Sequence, residues 1–429
     1  MVVAVTIIFS LIFTLIILLL VAGSYHRSVV AMLGALLVIA FGGIYSVFFP
    51  EDALSYIVRN ADTILLVIGS MILCEALGRS GLFQFIGLSM VSNIGKSIRW
   101  FVAVMLVLTV TLSAFLNNIT AMLIIGALTL SLERKLELDL SKLIVYEAIF
   151  TNVGGLMLMI SSIPNLIVAG EYNIGFSRFA TICIPLVLLL TVVSLYPVLK
   201  QIRSIEPFKE GLEFDPWSVV KDKRVFYRAS LIFIVVMILF ILHDIFPQIQ
   251  LGLIAIAGAT AMLILSGEEP ESIFSDIDWG TIFFLVSFFV IIGAMNDPRV
   301  GVLTSFADSL SNVFVAIPGL AYFLNLWVSG IASAFIDNIP ITITLIPIVN
   351  SLSQSLGLNR EILAWSMVFG ANLGGNFTPI GSPSIIIAMG MLKKKGINIS
   401  FHEWIKKYGI FPCIHLLLAT LYTILLVVI

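Results

Sequence analysis

Polar side chains that could bind a small solute interrupt long apolar stretches of this sequence at four places. Two are short turns, Asn117-Asn118-Ile-Thr120 and Asp337-Asn338-Ile-Pro340. Two are breaks marked by paired glycines, from Asn152-Val-Gly-Gly155 to Asn165 and from Asn372-Leu-Gly-Gly-Asn376 to Ser382. Because Gly and Pro break helices, such segments leave free amides, which attract anions, and free carbonyls, which attract cations. Amide and hydroxyl side chains add neutral donors and acceptors that suit a partly dehydrated ion or oxyacid.

The candidate binding residues are the polar and glycine positions of these four interruptions. They are Asn117, Asn118, Thr120, Asn152, Gly154, Gly155, Ser162, Asn165, Asp337, Asn338, Asn372, Gly374, Gly375, Asn376, Thr378 and Ser382. The alternative is a structural role, since Gly, Ser, Thr and Pro are common in membrane helices, where small and polar residues hold helix bundles together. Four interruptions in two matching pairs favour a central binding site over that alternative.

Two acidic residues are candidates for carrying a proton or a coupling cation. Asp337 lies in a turn at membrane depth, where an ionisable group is costly unless it has a function; the alternative is that it caps the following helix. Glu147 lies one turn before the first break, where it either carries a proton or sits at the cytoplasmic interface. No nucleophile or His/Glu metal motif is apparent. We therefore expect no catalytic residue, no metal site and no cofactor, apart from a coupling sodium ion or proton.

The composition places these residues in a membrane. Of 429 residues, 60% are hydrophobic and 11% charged, and the mean hydropathy is +1.12. A soluble globular domain carries about 25% charged residues, so the composition excludes an ordinary soluble enzyme. The net charge of -2 offers no basic surface for nucleic acid. We expect a multi-pass protein of the cell membrane whose partners are the lipid bilayer and a small molecule or inorganic ion.

The two halves of the chain are related. The segment Ser113–Thr120 matches Ser333–Pro340 at five of eight positions, at an offset of 220 residues. The same offset relates the two glycine-marked breaks. Polar matches at one fixed offset indicate an internal duplication. The predicted domains are a first repeat over 1–200, a cytoplasmic linker over 201–227 and a second repeat over 228–429.

The distribution of basic residues indicates how the apolar segments cross the membrane. Segments 99–132 and 313–350 are too long for one helix across a core of about 30 Å, and each has its polar turn near the middle. If both return to the side they entered and the N-terminus is outside, nineteen basic residues are cytoplasmic and four are outside. If each segment crosses the membrane once instead, eleven basic residues are cytoplasmic and twelve are outside. The positive-inside rule therefore favours two re-entrant hairpins.

The predicted fold is an all-α polytopic membrane protein with two inverted-topology repeats. Each repeat has five transmembrane helices plus one re-entrant hairpin, with a broken helix after each hairpin. An odd number of crossings inverts the second repeat, so that both termini lie outside and the linker 201–227 is cytoplasmic. The oligomeric state stays open, a homodimer included, and so does a partner ATPase.

At these residues the sequence resembles the ion transporter superfamily, in particular the branch of arsenite permeases, P-protein-type carriers and D-type sodium/proton antiporters with a citrate-transporter-like domain. The likeness lies in Ser333–Pro340 with Pro347, in Gly370-Ala-Asn-Leu-Gly-Gly-Asn376 with Thr378, and in Glu147 ahead of the first break. It covers nearly the whole chain. The resemblance implies that hairpin tips and breaks hold substrate and coupling ions, with roles for Asn117, Asn118, Asn152, Asp337, Asn338, Asn372 and Asn376.

Departures from the family pattern bear on the expected substrate. The first turn has Asn117 where the family has Asp, and the first break, Leu158 to Asn165, lacks the family's second Asp. Fewer fixed negative charges repel an oxyanion less. We expect a secondary transporter, and no enzyme, that moves a small inorganic ion or oxyacid by alternating access, coupled to a proton or sodium gradient, with arsenite-type efflux favoured. The alternatives are a sodium/proton antiporter or carboxylate transporter of the same superfamily, or a channel or uniporter.

Overall fold

The computed structural model describes residues 2–23, 25–92, 97–136, 138–201, 215–246, 248–267, 269–302 and 319–428. Within these ranges the chain forms helices and no strand. Residues 202–214 of the predicted linker and 313–318 of the predicted second hairpin lie outside the described residues. In chain order the helices are α1 Val2–Ala22, α2 Arg27–Ile44, α3 Pro50–Arg59, α4 Ala61–Arg79, α5 Leu82–Val91, α6 Ile98–Phe115, α7 Asn118–Leu136, α8 Ser141–Gly154, α9 Ile163–Tyr172, α10 Phe176–Gln201, α11 Lys223–His243, α12 Leu251–Ser266, α13 Pro270–Ser275, α14 Trp279–Asn296, α15 Leu320–Ser333, α16 Asn338–Leu356, α17 Arg360–Gly374, α18 Pro383–Lys394, α19 Phe401–Tyr408 and α20 Ile410–Val428.

Many of these helices suit a lipid environment. Eight described helices are long and apolar enough to cross a membrane: α2, α4, α6, α10, α11, α14, α16 and α20. The outermost helices also turn apolar side chains outward, as Leu11 and Leu421 do with 64% and 63% of their surface exposed. Large exposed apolar surfaces mark contact with lipid or another protein rather than with water. The predicted all-α membrane fold is confirmed.

Helices α1–α4 pack with α11–α14 into one group, which we call the scaffold. Its principal contacts join α4 to α12 and α2 to α14, so each contact pairs the first half of the chain with the second. Gly69 of α4 makes the closest approach, because a Cβ there would lie 2.5 Å from the carbonyl carbon of Ala255 in α12. The scaffold is therefore held by helix contacts between the halves.

Two helical hairpins lie in the remaining helices, α5–α10 and α15–α20, which we call the hairpin-bearing group. In the first hairpin, α6 and α7 turn at Leu116 and Asn117; in the second, α15 and α16 turn at residues 334–337. Leu108 of α6 and Leu128 of α7 both lie beside Gly87 of α5, so the two arms run side by side. Hairpins thus occur in the two segments that are too long for one helix. That they re-enter the same side of the membrane stays a prediction.

A broken helix follows each hairpin. The first break separates α8, which ends at Gly154, from α9, and the second separates α17, which ends at Gly374, from α18. Ser162 and Ser382 are the N-cap residues of α9 and α18. A proline stands in the first two positions of each of these helices, where its missing amide removes no helical hydrogen bond. The sequence therefore positions both breaks through the same local chemistry.

The elements of the two halves recur at the 220-residue spacing of the sequence match. The returning arm of each hairpin begins at Asn118 and at Asn338, and the helices after the breaks begin at Ile163 and Pro383. These two helices of the second half therefore begin the same number of residues after their counterparts. Matching sequence motifs occupy matching places in the fold.

Three of the four arginines that the charge count assigns to the outside lie in the wall of one cavity. Arg59, Arg178 and Arg360 line one vestibule of about 1260 Å³ between the scaffold and the hairpin-bearing group. The fourth, Arg299, hydrogen-bonds Asp297 and so lowers the pKa of that carboxyl below its ordinary value. Which end of the molecule faces the cytoplasm stays a prediction.

Candidate functional site

The two broken helices cross at a buried network of amide and hydroxyl groups. Asn152 donates from Nδ2 to Asn376 Oδ1 at 2.7 Å and to Ser382 Oγ at 2.8 Å. Ser162 donates to Asn372 Oδ1 at 3.0 Å. Asn372 and Ser382 are the counterparts, 220 residues later, of Asn152 and Ser162. The asparagine of each half therefore contacts the corresponding serine of the other half. Because each contact joins one half of the chain to the other, this network, which we call the crossing, ties the halves together.

The side-chain amides of the crossing find their hydrogen-bond partners among the residues of the two breaks. Asn372 donates to Asn165 Oδ1 at 2.9 Å, and Asn165 donates to the carbonyls of Gly155 and Leu158, also at 2.9 Å. The asparagines of the crossing are at most 2% exposed. Leaving such a buried group without a partner costs about 1–3 kcal/mol, so these hydrogen bonds hold the breaks in place. A role of the crossing residues in binding substrate stays a prediction.

Two glycines allow the first arm of each hairpin to touch the following break. A Cβ on Gly154 would lie 2.5 Å from the carbonyl oxygen of Val110 in α6. A Cβ on Gly374 would lie 2.0 Å from the carbonyl oxygen of Gly330 in α15. Both distances are too short for any side chain. These predicted residues therefore act first by permitting close backbone contact.

Serine hydroxyls fasten the same contacts in both halves. Ser113 of α6 donates to the carbonyl of Thr151 at 2.6 Å, and Ser333 of α15 donates to the carbonyl of Ala371 at 2.7 Å. Both pairs obey the 220-residue spacing. Each hairpin is thus anchored to its own broken helix by a hydroxyl and a glycine.

The other predicted residues of the breaks also touch the hairpins or the break itself. Gly155 leaves room for the side chain of Asn118, whose Oδ1 would lie 2.4 Å from a Cβ there. Gly375 lies against the backbone that precedes α18. The hydroxyl of Thr378 donates to the carbonyl of Ala334 in the turn of the second hairpin. The second break is therefore attached to the second hairpin at its tip.

The tip of the first hairpin is neutral and caps itself. Asn117 accepts the amide of Thr120 at Oδ1, at 2.9 Å. Asn118 donates to Asn152 Oδ1 at 3.1 Å and accepts from Ser113 at 3.2 Å. Neutral hydrogen bonds thus join this tip to the first break and to the crossing.

The tip of the second hairpin makes an ionic contact with the scaffold. Asp337 holds the N-cap position of α16, yet its side chain makes no capping hydrogen bond. Its Oδ2 accepts instead from the guanidinium of Arg27, the first residue of α2. The same guanidinium donates to Asp278 at 3.1 Å and to Thr281 at 2.5 Å. The structure therefore excludes helix capping by the Asp337 side chain.

The second carboxylate oxygen of Asp337 has a different environment. Oδ1 is buried and has no hydrogen-bond partner among the described residues. A carboxylate accepts several hydrogen bonds or binds a cation through each oxygen. One carboxylate oxygen of Asp337 thus accepts from Arg27, and the other is available to another donor or to a cation.

Sequence reasoning missed Arg27, which it counted only as a loop charge. Arg27 and Asp337 are 310 residues apart, and no pattern in the chain joins them. One signal was available: a cation in the first turn of a helix opposes the helix dipole and favours a carboxylate partner. That signal predicts an acidic partner for Arg27 but does not identify the residue.

Both hairpin tips face one small space, which we call the tip pocket. Its volume is about 120 Å³, which gives room for several water molecules. The scaffold contributes Arg27, Glu75, Asp276 and Asp278 to its wall. Arg79 pairs with Glu75, as the i,i+4 spacing predicts, and with Asp276. The predicted residues in the wall are Asn117, Asn118, Thr120, Ser162, Asp337 and Asn338.

Glu147 lies away from the tip pocket, in the interior of the hairpin-bearing group. Its side chain is fully buried, and Thr129 of α7 donates to Oε1 at 2.5 Å. Oε2 has no hydrogen-bond partner in the part of the chain that the structure describes. The depth of Glu147 in the membrane and its role in carrying protons both stay predictions.

Helices that suit a membrane, paired hairpins and paired broken helices define a polytopic membrane transporter, and comparison with known proteins agrees. The family described as "CitMHS: Citrate transporter" matches residues 11–370. The chain belongs to this family of membrane transporters, and the resemblance to the ion transporter superfamily is confirmed. The family and its relatives identify a multi-pass transporter rather than an enzyme.

Relatives support the same class, and a solved structure shares the fold. An uncharacterized transporter of Mycobacterium tuberculosis is 27% identical and covers 92% of this chain and 93% of its own length. The P protein of Mus musculus is 27% identical over 89% of this chain, which spans 55% of that protein. The crystal structure of the Alcanivorax borkumensis YdaH transporter, described as having an unusual topology, aligns with a TM-score of 0.54 at 13% identity. That alignment covers 93% of this chain and 98% of the other, and it shows the shared fold.

Proposed function

We propose that this chain is a secondary active transporter that binds a small inorganic ion or oxyacid in the tip pocket and couples its movement to protons or sodium ions at Asp337. The observation that carries the proposal is the half-engaged carboxylate of Asp337, which lies in the wall of that pocket. Alternating access then moves the hairpin-bearing group relative to the scaffold.

The size and charge of the tip pocket support a small solute. A volume of about 120 Å³ suits an uncharged oxyacid with three oxygens, so arsenite-type efflux is the first activity to test. Four carboxylates stand around the pocket, and the guanidiniums that pair with them are Arg27 and Arg79. The excess negative charge repels a tricarboxylate.

Arg27 provides the coupling step in this proposal. Its guanidinium neutralises Asp337 while the pocket is closed against α2. A sodium ion or proton at Asp337 competes with the guanidinium, because either one removes the charge that attracts it. Arg27 then remains with Asp278 and Thr281, so release of the tip leaves no isolated cation.

We further propose that Glu147 is a second proton-coupling group. An isolated charge in the interior is costly, so a buried carboxyl without a cation partner is held as the neutral acid. Its partner Thr129 belongs to the returning arm of the first hairpin, so movement of that arm changes the surroundings of Glu147. The Glu147→Gln variant is expected to transport without the pH dependence of the parent.

A second candidate function, sodium/proton antiport, is favoured by the carboxylates of the tip pocket. Asp278 and Asp337 share one guanidinium, which leaves capacity for a bound cation between them. In this version sodium is the transported ion and the proton drives it. A pocket lined only by uncharged residues would not support this candidate.

Proteoliposomes distinguish these functions. Arsenite uptake that accelerates with arsenite on the opposite side and follows an imposed pH or sodium gradient supports the proposed transporter. Sodium-driven pH change without arsenite movement supports the antiporter. Flux of either solute without counter-flow acceleration or gradient coupling indicates a channel or uniporter and overturns the proposal.

We propose, finally, that the two halves are inverted repeats with both termini outside. The shared spacing of elements, the exchanged contacts of the crossing and the common location of Arg59, Arg178 and Arg360 support this topology. A cysteine at the exposed Asn173, in a background without the native cysteines, is expected to react with an impermeant thiol reagent added to intact cells. A cysteine at Gly396 is expected to react only after permeabilisation, and the reverse pattern overturns the orientation.

A further inference from the structure

One helix next to the crossing is too short to span a membrane and has two unlike faces. Helix α19 has eight residues and is about 12 Å long at 1.5 Å per residue. Trp404 and Tyr408 point into the protein, with 0% and 7% of their surface exposed. Phe401 and Ile405, one turn apart, have 43% and 45% exposed. An amphipathic helix of this kind suits the surface of a bilayer.

The segment around α19 is basic although the whole chain is not. Residues 393–407 contain five lysines and one acidic residue, Glu403, in a chain of net charge -2. Lys395 pairs with Glu133 at 2.6 Å, and Lys407 pairs with Glu403 at 2.6 Å. The exposed lysines for which the described residues supply no ion-pair partner are Lys393, Lys394 and Lys406. Positive charge beside exposed apolar side chains calls for a partner with an anionic surface and an apolar layer beneath it.

We propose that α19 and the turn at Lys393 and Lys394 bind the headgroups of anionic phospholipids. A polybasic segment gains about 1 kcal/mol per Lys or Arg near an anionic leaflet, which is about fivefold in affinity per residue. Phe401 and Ile405 enter the boundary between headgroups and acyl chains, where amphipathic helices bury their apolar faces. Charge and apolar surface together select a membrane lipid.

The inner face of α19 connects this lipid site to the crossing. The indole of Trp404 donates to the backbone carbonyl of Asn376 at 3.1 Å, and Asn376 in turn accepts from Asn152. The Tyr408 ring lies 5.8 Å from that of Tyr146 in α8. A lipid that holds α19 in place therefore stabilises both broken helices. The site thus regulates the crossing without contacting the tip pocket.

Titration of the detergent-solubilised full-length protein with phosphatidylglycerol and with phosphatidylcholine tests this proposal. Two readouts are recorded: binding of a fluorescent phosphatidylglycerol, and the midpoint of thermal unfolding. Phosphatidylglycerol is expected to raise the midpoint more than phosphatidylcholine does, and high salt is expected to weaken the difference. Equal effects of the two lipids overturn the proposal.

A matched pair of charge variants locates the binding surface. The double variant K394Q/K406Q is expected to bind phosphatidylglycerol about 25-fold more weakly, at about fivefold per lysine. The control K221Q/R224Q removes two exposed positive charges near the start of α11 and is expected to bind like the parent. Equal loss in both variants shows general charge attraction and overturns the assignment to α19.

The variant Trp404→Phe tests the connection to the crossing. It keeps the lysines and the exposed apolar residues but removes the donor to Asn376. Lipid binding is expected to persist while the gain in unfolding midpoint shrinks. A full gain in this variant overturns the connection, whether or not the transport activity proposed above is found.

Discussion

The two hairpin tips occupy equivalent positions, 220 residues apart, but make different contacts. Asn117 caps its own helix, and Asn118 binds the first break through neutral hydrogen bonds. Asp337 leaves its helix uncapped and forms an ion pair with Arg27 of the scaffold. The first tip is therefore attached within the hairpin-bearing group, whereas the second is attached across to the other group.

This difference indicates a division of roles between two matching parts of the fold. Neutral hydrogen bonds do not depend on which ions are present, whereas an ion pair is broken by protonation or by a competing cation. The first tip is suited to keeping the tip pocket in shape. The second is suited to responding to a coupling ion, because it has the charged Asp337 where the first has the neutral Asn117.

The largest effect is expected from Asp337→Asn. The variant keeps the size of the side chain but removes the charge that holds Arg27 and that we propose to bind the coupling cation. Gradient-driven flux in proteoliposomes is expected to fall by more than about 30-fold, the factor for a loss of about 2 kcal/mol. The matched double variant Asn117→Asp/Asp337→Asn is expected to stay inactive, because Arg27 pairs with the second tip. Recovery of flux in the double variant would show that the two tips are interchangeable.

A smaller effect is expected from Arg27→Gln. Loss of the competing guanidinium leaves Asp337 free, so the coupling cation is expected to bind about tenfold more tightly, as for a lost contact of about 1.4 kcal/mol. The cation concentration that gives half-maximal thermal stabilisation measures this change. Arg299→Gln, at an arginine that pairs with Asp52 and Asp297, is the control and is expected to leave that concentration unchanged. Weaker cation binding in Arg27→Gln would mean that Arg27 supports the site rather than competing for it.

The smallest effect is expected from Asn117→Ala. The variant loses one capping hydrogen bond, worth about 1 kcal/mol of unfolding free energy, and removes no charge. Flux is expected to stay within a few-fold of the parent value. A loss as large as that of Asp337→Asn would contradict the division of roles between the tips.

The positions of the hairpins and breaks could be predicted because local chemistry determines them. Gly154, Gly374 and the prolines after them interrupt helices wherever the rest of the chain lies. Basic residues in the loops, read with the positive-inside rule, made hairpins preferable to single crossings. These features depend on residues that are close together in the chain, so they can be recognised from the sequence alone.

Contacts between the halves could not be predicted in the same way. No local pattern pairs Asn152 and Asn372 with Ser382 and Ser162 of the opposite half. Arg27 meets Asp337 across 310 residues. Such contacts depend on how whole helices pack against each other. A single sequence contains no information on the distance between two helices.

The central claim is that Asp337, and not the first tip, carries the coupling charge. Current recorded on a solid-supported membrane after a sodium or pH jump tests it most directly. We expect the parent to displace charge, Asn117→Ala to displace a similar amount, and Asp337→Asn to give no signal above empty liposomes. Charge displacement by Asp337→Asn equal to that of the parent would contradict the account.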